Sequence, residues 1–269
     1  MVGGGAFVRA AKSHEAAGQG CQDTALVAMR AQKGLAIVCD GCSSGRDSGV
    51  SAALLASAGR SSWLAGASLG WEWGRWAWER ARAAMEMTGM SAGQNPATLL
   101  AVEIDGATGD ASIALWGDGA LARIDAQGRV AEMWTGESAL NMPAYPAYAF
   151  EDSLWAAFES AGGGSAWAAK QADNLRLGIQ QGQGGRFWQG AGRLEAGEMI
   201  LLLSDGIGAV EGLSALSCVV DLAAAKGPGG FMERRARKAI EGWRAQSGGL
   251  GDDFSVAALR MPVSGGEEP

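Results

Sequence analysis

Histidine is almost missing from this chain: His14 is the only one. A site within one chain therefore cannot draw on two imidazoles, which excludes the multi-histidine zinc sets, and any Ser-His-Asp arrangement would have to run through His14. Cysteine is scarce too. Cys21, Cys39, Cys42 and Cys218 are too few in 269 residues for a disulfide framework, and they suit a reducing compartment. Positive charge is in deficit, with 22 Lys plus Arg against 29 Asp plus Glu and a formal charge of −7. No general field attracts a nucleic-acid backbone, and no block of Lys and Arg is present to hold an anionic membrane. No stretch reaches the roughly 18 uninterrupted apolar residues of a membrane span, and the opening MVGGGAFVRAAKSHE lacks the apolar core of a secretion signal. The expectation is a cytosolic, monomeric protein without nucleic-acid or membrane partners.

What is present is globular in character, at 48% hydrophobic and 19% charged residues. The expected organisation is one domain over residues 1–262 with a frayed tail at 263–269. Short apolar runs at Ala6 to Ala10, Ala25 to Met29 and Leu35 to Cys39 read as strands. Ala-rich stretches with Trp, Leu and Met at three- and four-residue spacing predict helices over Ser48 to Gly59 and Trp63 to Met87. The tryptophans of the second stretch point to packing against a sheet more than to a binding surface. Runs at Ala97 to Ile104, Ala111 to Trp116 and Ala120 to Ile124, joined by Gly/Asp turns, predict an antiparallel meander. Residues 136–192 read as loops around one helix near Ser153 to Ser160, a region able to form a substrate-selecting flap. Beyond it, strands are predicted at Glu198 to Leu203 and Phe254 to Arg260, with helices over Leu213 to Ala225 and Phe231 to Gln246. Strands flank two helix blocks without strict βα alternation, so an α+β layered fold is expected. The Gly-rich clusters lack the G-x-x-x-x-G-K-[ST] phosphate loop.

The chemistry-bearing pattern is positional. Asp40, Asp118, Asp205 and Asp252 each stand at the end or start of an apolar strand or in the turn beside it, three of them directly before Gly. A carboxylate there is held by the sheet yet reaches solvent, and the glycine permits close approach. Hard divalent cations take oxygen ligands, so several such aspartates could make a Mg²⁺ or Mn²⁺ site. Each pair taken singly is also an ordinary Asp-Gly turn.

The order is more specific than its members: Gln22-Asp23, Asp40-Gly41 between strand and helix, Gly117-Asp118, Ser204-Asp205-Gly206 after three leucines, and Asp252-Asp253-Phe254 near the end. It resembles the metal-dependent protein phosphatases of type 2C from about Ser13 to Leu259. The stretches SHEAAGQGCQDT and VCDGCSSGRDSGVSA look like a bacterial branch in which Gln-Asp replaces Glu-Asp. The resemblance implies a four-layer α-β-β-α sandwich of two antiparallel sheets flanked by helices, with two or three Mn²⁺ or Mg²⁺ ions. Asp40 would bridge two metals and the Gly41 carbonyl would ligate one, while Asp205 and Asp252 would complete the other. Asp23 would act through bound water, Asp118 matches a third, weaker metal position, and Thr98 fits a small hydroxyl position. The implied activity is serine/threonine protein phosphatase, its partner a phosphorylated protein from a kinase pathway. A metal-activated water needs no side-chain nucleophile.

Two departures keep alternatives open. The phosphate-binding arginine of the family would fall on Gly18, leaving His14, Lys12 and Arg46 as candidates; His14 could donate to phosphate or protonate a leaving oxygen, or be an ordinary loop histidine. Cys42 stands where many members carry His or Met after Asp-Gly. A catalytically weak or inactive member that binds a phosphoprotein or regulatory partner is the rival reading. Cys39-Asp40-Gly41-Cys42 also matches C-x-x-C, a redox or zinc motif.

Overall fold

Twelve strands and seven α-helices occupy the described residues, which are 1–172, 175–224, 231–247 and 249–263 of a computed structural model. The chain runs β1 (Gly3–Arg9), α1 (Lys12–Ala16), β2 (Thr24–Arg30), β3 (Lys33–Cys39), α2 (Ser48–Leu64) and α3 (Trp71–Met87). There follow β4 (Leu99–Asp105), β5 (Asp110–Trp116), β6 (Gly119–Ile124), β7 (Val130–Ser138), α4 (Pro146–Ala149) and α5 (Asp152–Ser160). The last elements are β8 (Ser165–Ala172), β9 (Gly178–Gln181), β10 (Trp188–Arg193), β11 (Met199–Leu203), α6 (Ala215–Ala223), α7 (Phe231–Ser247) and β12 (Phe254–Arg260). Two six-stranded sheets result, in the orders β1-β12-β11-β6-β7-β8 and β2-β3-β4-β5-β10-β9. Every strand pairing within them is antiparallel.

Period-two alternation makes these sheets into inner layers. In β11, Met199, Leu201 and Leu203 face one core with Val219 and Leu222 of α6 and Met232, Ala236, Ile240 and Trp243 of α7. Ile200 and Leu202 face the other way, into a core shared with Val38, Leu100 and Val102 of the second sheet. On that sheet's far side, Leu35, Ile37 and Leu99 meet α2 and α3. A strand buried on both faces reads as a continuous apolar run, which is why β11 is MILLL. Fully burying each such Leu or Ile contributes about 1.5–3 kcal/mol. The four-layer α+β sandwich expected from the sequence is the one found.

In α3, Trp73, Ala77, Ala81 and Met85 recur every fourth residue on the buried face, with Trp78 beside them. Trp76, on the opposite face, stays 47% exposed. Packing thus claims Trp73 and Trp78, as their spacing implied.

Three expectations are corrected. The meander over β4, β5 and β6 breaks: β5 pairs with β4 and β10, whereas β6 lies in the other sheet between β7 and β11. Gly117 (φ 103°) and Gly119 (φ 136°) turn the chain from one sheet to the other, a conformation that residues with a Cβ rarely adopt. The stretch 136–192 is not mainly loop, since it holds the end of β7, α4, β8, β9 and β10 besides the expected α5. The break between α2 and α3 falls at residues 65–70, with Gly66 and Gly70 both at positive φ, rather than before Trp63. Residues 264–269 of the expected tail, and Ala225 at the expected end of α6, lie outside the described residues.

Candidate metal centre

Antiparallel pairing puts the start of one strand beside the end of the next, and this gathers the aspartates. Thr24 of β2 pairs with Cys39 of β3, so Asp23, just before β2, and Asp40, just after β3, leave the second sheet at the same end. In the first sheet Leu203 of β11 lies between Ala120 of β6 and Val256 of β12. Asp118 before β6, Asp205 after β11 and Asp252 before β12 therefore also share one end. The two ends coincide, because Asp40 sits against both Asp23 and Asp205.

Backbone contacts hold the acids in place. The Asp40 N–H donates to Thr98 Oγ1 at 2.8 Å, and the Thr98 N–H returns a bond to the Asp40 carbonyl at 2.8 Å. Gly41 bridges to Ala97, and the Cys42 N–H donates to the Pro96 carbonyl at 3.0 Å. Asp205 opens a 3-10 turn, Asp205–Gly208, and a Cβ added at Gly206 would lie 1.8 Å from the Asp253 carbonyl oxygen. Only glycine lets the Asp205 turn pack onto the residues before β12.

The centre is electrostatically strained. Burial pushes Asp23 up to about 7, with the Asp253 charge adding to the shift and the neighbouring Asp40, Ser204 and Ser255 side chains opposing it. None of these neighbours meets Asp23 in hydrogen-bonding geometry, so both its carboxylate oxygens are buried without a partner. Asp40 is pushed well above the usual range by burial and by the charges of Asp23 and Asp205. Burial and Asp205 raise Asp118 to about 6 although Ser138 Oγ donates to its Oδ2 at 2.7 Å. Asp252 is raised by burial and by the charges of Asp205 and Asp253, against the lowering effects of the Asp253 N–H and of His14. Asp40 is thus in reach of both Asp23 and Asp205, with Asp118 and Asp252 within electrostatic range of Asp205.

Among the described residues, no three Asp, Glu, Cys or His side chains already stand around one point at ligand spacing. The acids meet as contacting pairs. The donor set nonetheless fits a hard divalent cation: every side-chain ligand is an oxygen, Asp23 carries two unpartnered buried acceptors, and a bound cation would relieve the repulsion.

The other candidates separate. Asp253, buried, accepts from the Ala11 N–H at 2.5 Å and His14 Nδ1 at 2.8 Å through Oδ1, and from the Gln22 N–H at 2.5 Å through Oδ2. His14 is therefore anchored beside the acids, close enough to lower Asp252. Lys12 is exposed on α1, and Gly18 is exposed at φ 69° with open space around it. Arg46 lines a cavity of about 720 Å³ that begins at Cys42. Cys39 lies sealed in the core beneath α2 and α3, which leaves the C-x-x-C motif without an accessible first sulfur.

No protein-family model matches this chain, and no curated protein sequence does either. Solved structures do match. A serine/threonine phosphatase of S. agalactiae superposes with a TM-score of 0.60 at 16% identity, covering 97% of this chain and 100% of that one. The fold is that of the type 2C phosphatases. The PP2C phosphatase domain of SpoIIE from Bacillus subtilis, solved with a fragment of its regulatory domain, gives a TM-score of 0.58 at 15% identity, over 97% of this chain and 63% of that chain. The Mycobacterium tuberculosis serine/threonine phosphatase PstP/Ppp gives 0.58 at 14% identity, over 97% of this chain and 99% of that one. The type 2C architecture thus extends over almost the whole chain.

Two residues beside the clustered acids escape sequence reasoning. Asp253 is the anchor and Asp252 the more open neighbour, a distinction the Asp-Asp pair does not carry. Tyr145, buried just before α4, stands near Cys42 and feels the charges of Asp118 and Asp40. Burial raises the Tyr145 phenol and keeps it a donor; burial would also raise Cys42, but Ser44, Tyr145 and the N–H groups of Ser44 and Gly45 pull the thiol below its ordinary value.

Proposed function

We propose that this protein is a Mn²⁺- or Mg²⁺-dependent phosphatase that hydrolyses phosphoserine or phosphothreonine in proteins. The observation that carries the reading is the convergence of Asp23, Asp40 and Asp205 from two sheets, with Asp118 and Asp252 in electrostatic range, at one end of a type 2C sandwich. In this reading Asp40, the Gly41 carbonyl, Asp205 and Asp252 hold two cations, Asp118 a third, and Asp23 acts on water beside them. Bound cations would supply a water of lowered pKa and neutralise charge on the phosphoryl oxygens. The chain's own part is positioning. Thr98 clamps the Asp40 backbone, Gly206 lets the Asp205 turn close on β12, and Asp253 orients His14 to donate to a phosphate oxygen. Residues 1–262 are proposed as the working unit, acting in the cytosol on proteins phosphorylated by a kinase.

The test is hydrolysis of an aryl phosphate and of a phosphothreonine peptide, with Mn²⁺ and with chelator. Turnover that needs Mn²⁺ supports the reading; turnover on neither substrate, or equal turnover in chelator, refutes it. One observation favours a second reading, a regulatory phosphoprotein-binding module on the same fold. Gly18 offers no side chain to an anion where the family places arginine. Tight phosphopeptide binding without hydrolysis would establish that reading instead.

A further inference from the structure

Two residues beyond Asp40, at Cys42, begins a cleft of about 720 Å³ between the turn carrying Cys42, Ser44 and Arg46, the stretch carrying Thr88 and Asn95, and Tyr148 of α4. Its two walls meet where the Cys42 N–H donates to the Pro96 carbonyl at 3.0 Å, and Cys42 follows Gly41 directly. A phosphoryl group alone would fill only a small part of it, whereas pockets of this size hold a drug-sized ligand, room enough for side chains flanking a phosphorylated residue. We infer that the cleft seats the polypeptide flanking the phosphorylated residue, and that Arg46 selects substrates with Asp or Glu next to that residue. The inference rests on the phosphatase reading above and names its substrate class.

Three observations converge on Arg46. It is the one cationic side chain among the residues lining the cleft, and among the described residues it makes no ion pair or hydrogen bond. It also stands just before α2, where the partial positive charge of a 17-residue helix disfavours a cation. Neither an ion pair nor the helix end therefore accounts for this arginine. Asp47, the acid of the same wall, is accounted for: the helix end favours its charge, and its N–H donates to Asn95 Oδ1 at 2.8 Å. Finally, a chain of formal charge −7 repels acidic peptides in general, so a free arginine at the cleft supplies local attraction where the substrate enters.

The test uses two phosphothreonine peptides that differ only in Glu or Lys at the positions flanking the phosphothreonine, with Mn²⁺ present. The wild type is expected to favour the Glu peptide in kcat/KM. Arg46→Ala should lower that Glu-to-Lys ratio about fivefold, mainly through KM, and Arg46→Glu should invert it. An unchanged ratio in Arg46→Ala overturns the inference, including the case where both peptides slow by one factor, because Arg46 would then contact the phosphate itself. Fluorescence anisotropy of the labelled Glu peptide separates the two claims. Weaker binding to Arg46→Ala than to wild type, without turnover by either, keeps the cleft assignment and removes the phosphatase reading. Equal binding to both proteins overturns the cleft assignment even if the enzyme turns over.

Discussion

Two clusters of buried charge lie in the same sandwich, and the fold treats them in opposite ways. Arg123 of β6 bonds Glu132 of β7 at 3.2 Å through Nε and Glu198 at 2.9 Å through Nη1. Glu132 also accepts from the Trp134 indole at 2.8 Å and from the Arg176 and Leu177 N–H groups at 3.1 and 3.2 Å, and Glu198 from the Glu195 N–H at 2.9 Å. At the other cluster, none of the ion pairs among the described residues involves Asp23, Asp40, Asp118, Asp205 or Asp252. Burial of charge is thus no mark of function by itself. Where the chain supplies the counter-charge the cluster is structural; where it leaves acids facing acids, the chain itself answers them only by holding carboxyls protonated, and the proposed cations would take the place of those protons.

The largest expected effect separates the clusters by activity. Asp40→Asn or Asp205→Asn should lower Mn²⁺-dependent aryl phosphate hydrolysis at least about a thousandfold, ~4 kcal/mol of transition-state stabilisation. Retained turnover in Asp40→Asn would dismiss its bridging role. Next, Glu132→Gln removes one of the two buried carboxylate charges that Arg123 bonds and should cost about 3–5 kcal/mol of stability in denaturant titrations. A loss below about 1 kcal/mol would show that this network is not what holds β6 to β7. Third, Mn²⁺ at a hundred times its Kd should stabilise the wild type by about 2.7 kcal/mol, seen as a rise in Tm that Asp40→Asn abolishes. An equal rise in both proteins would place the ion elsewhere.

The smallest effect has the most telling sign. A carboxyl whose folded pKa lies above its unfolded value opposes folding once pH exceeds the unfolded value, and that cost is complete above the folded value. Burial holds Asp23 at about 7 against an ordinary 3.8. Asp23→Asn should therefore stabilise the metal-free protein by about 1–2 kcal/mol at pH 8, discounted from the full shift for relaxation around the site. Glu132→Gln and Asp23→Asn are the same chemical change with opposite expected signs. Destabilisation by Asp23→Asn would erase the contrast.

Legibility followed burial. β3, β11 and β12 were readable because strands covered on both faces must be apolar throughout and end on Asp-Gly or start after Asp-Asp. β8, β9 and β10 were not. Their segments SAWAAKQA, GIQQ and WQGAGR are short or rich in Ala, Gly and Gln, and β10 is a strand because β5 and β9 satisfy its backbone on both sides. The five-residue α1 escaped for a similar reason, having no buried residue to impose a period. Of the site, Asp23, Asp40, Asp118, Asp205 and Asp252 were visible as acids beside apolar strands. Tyr145 was not, since nothing local to 139–149 says that it will stand near Cys42 and the acids.

The sequence by itself determined that these aspartates stand where strands begin and end, because an apolar run of five to seven residues must stop at the first residue that needs water or a counter-charge. Which ends meet was decided only by the tertiary structure. Gly117-Asp118-Gly119 looks the same whether it closes a hairpin or carries the chain to the other sheet. It carries the chain across because β10, some seventy residues further on, takes the edge of β5 that β6 would otherwise occupy. The same holds for the neighbours Asp252 and Asp253. They are chemically identical in the sequence, and the packing of Ala11, His14 and Gln22 around the start of β12 makes one an anchor and leaves the other facing Asp205.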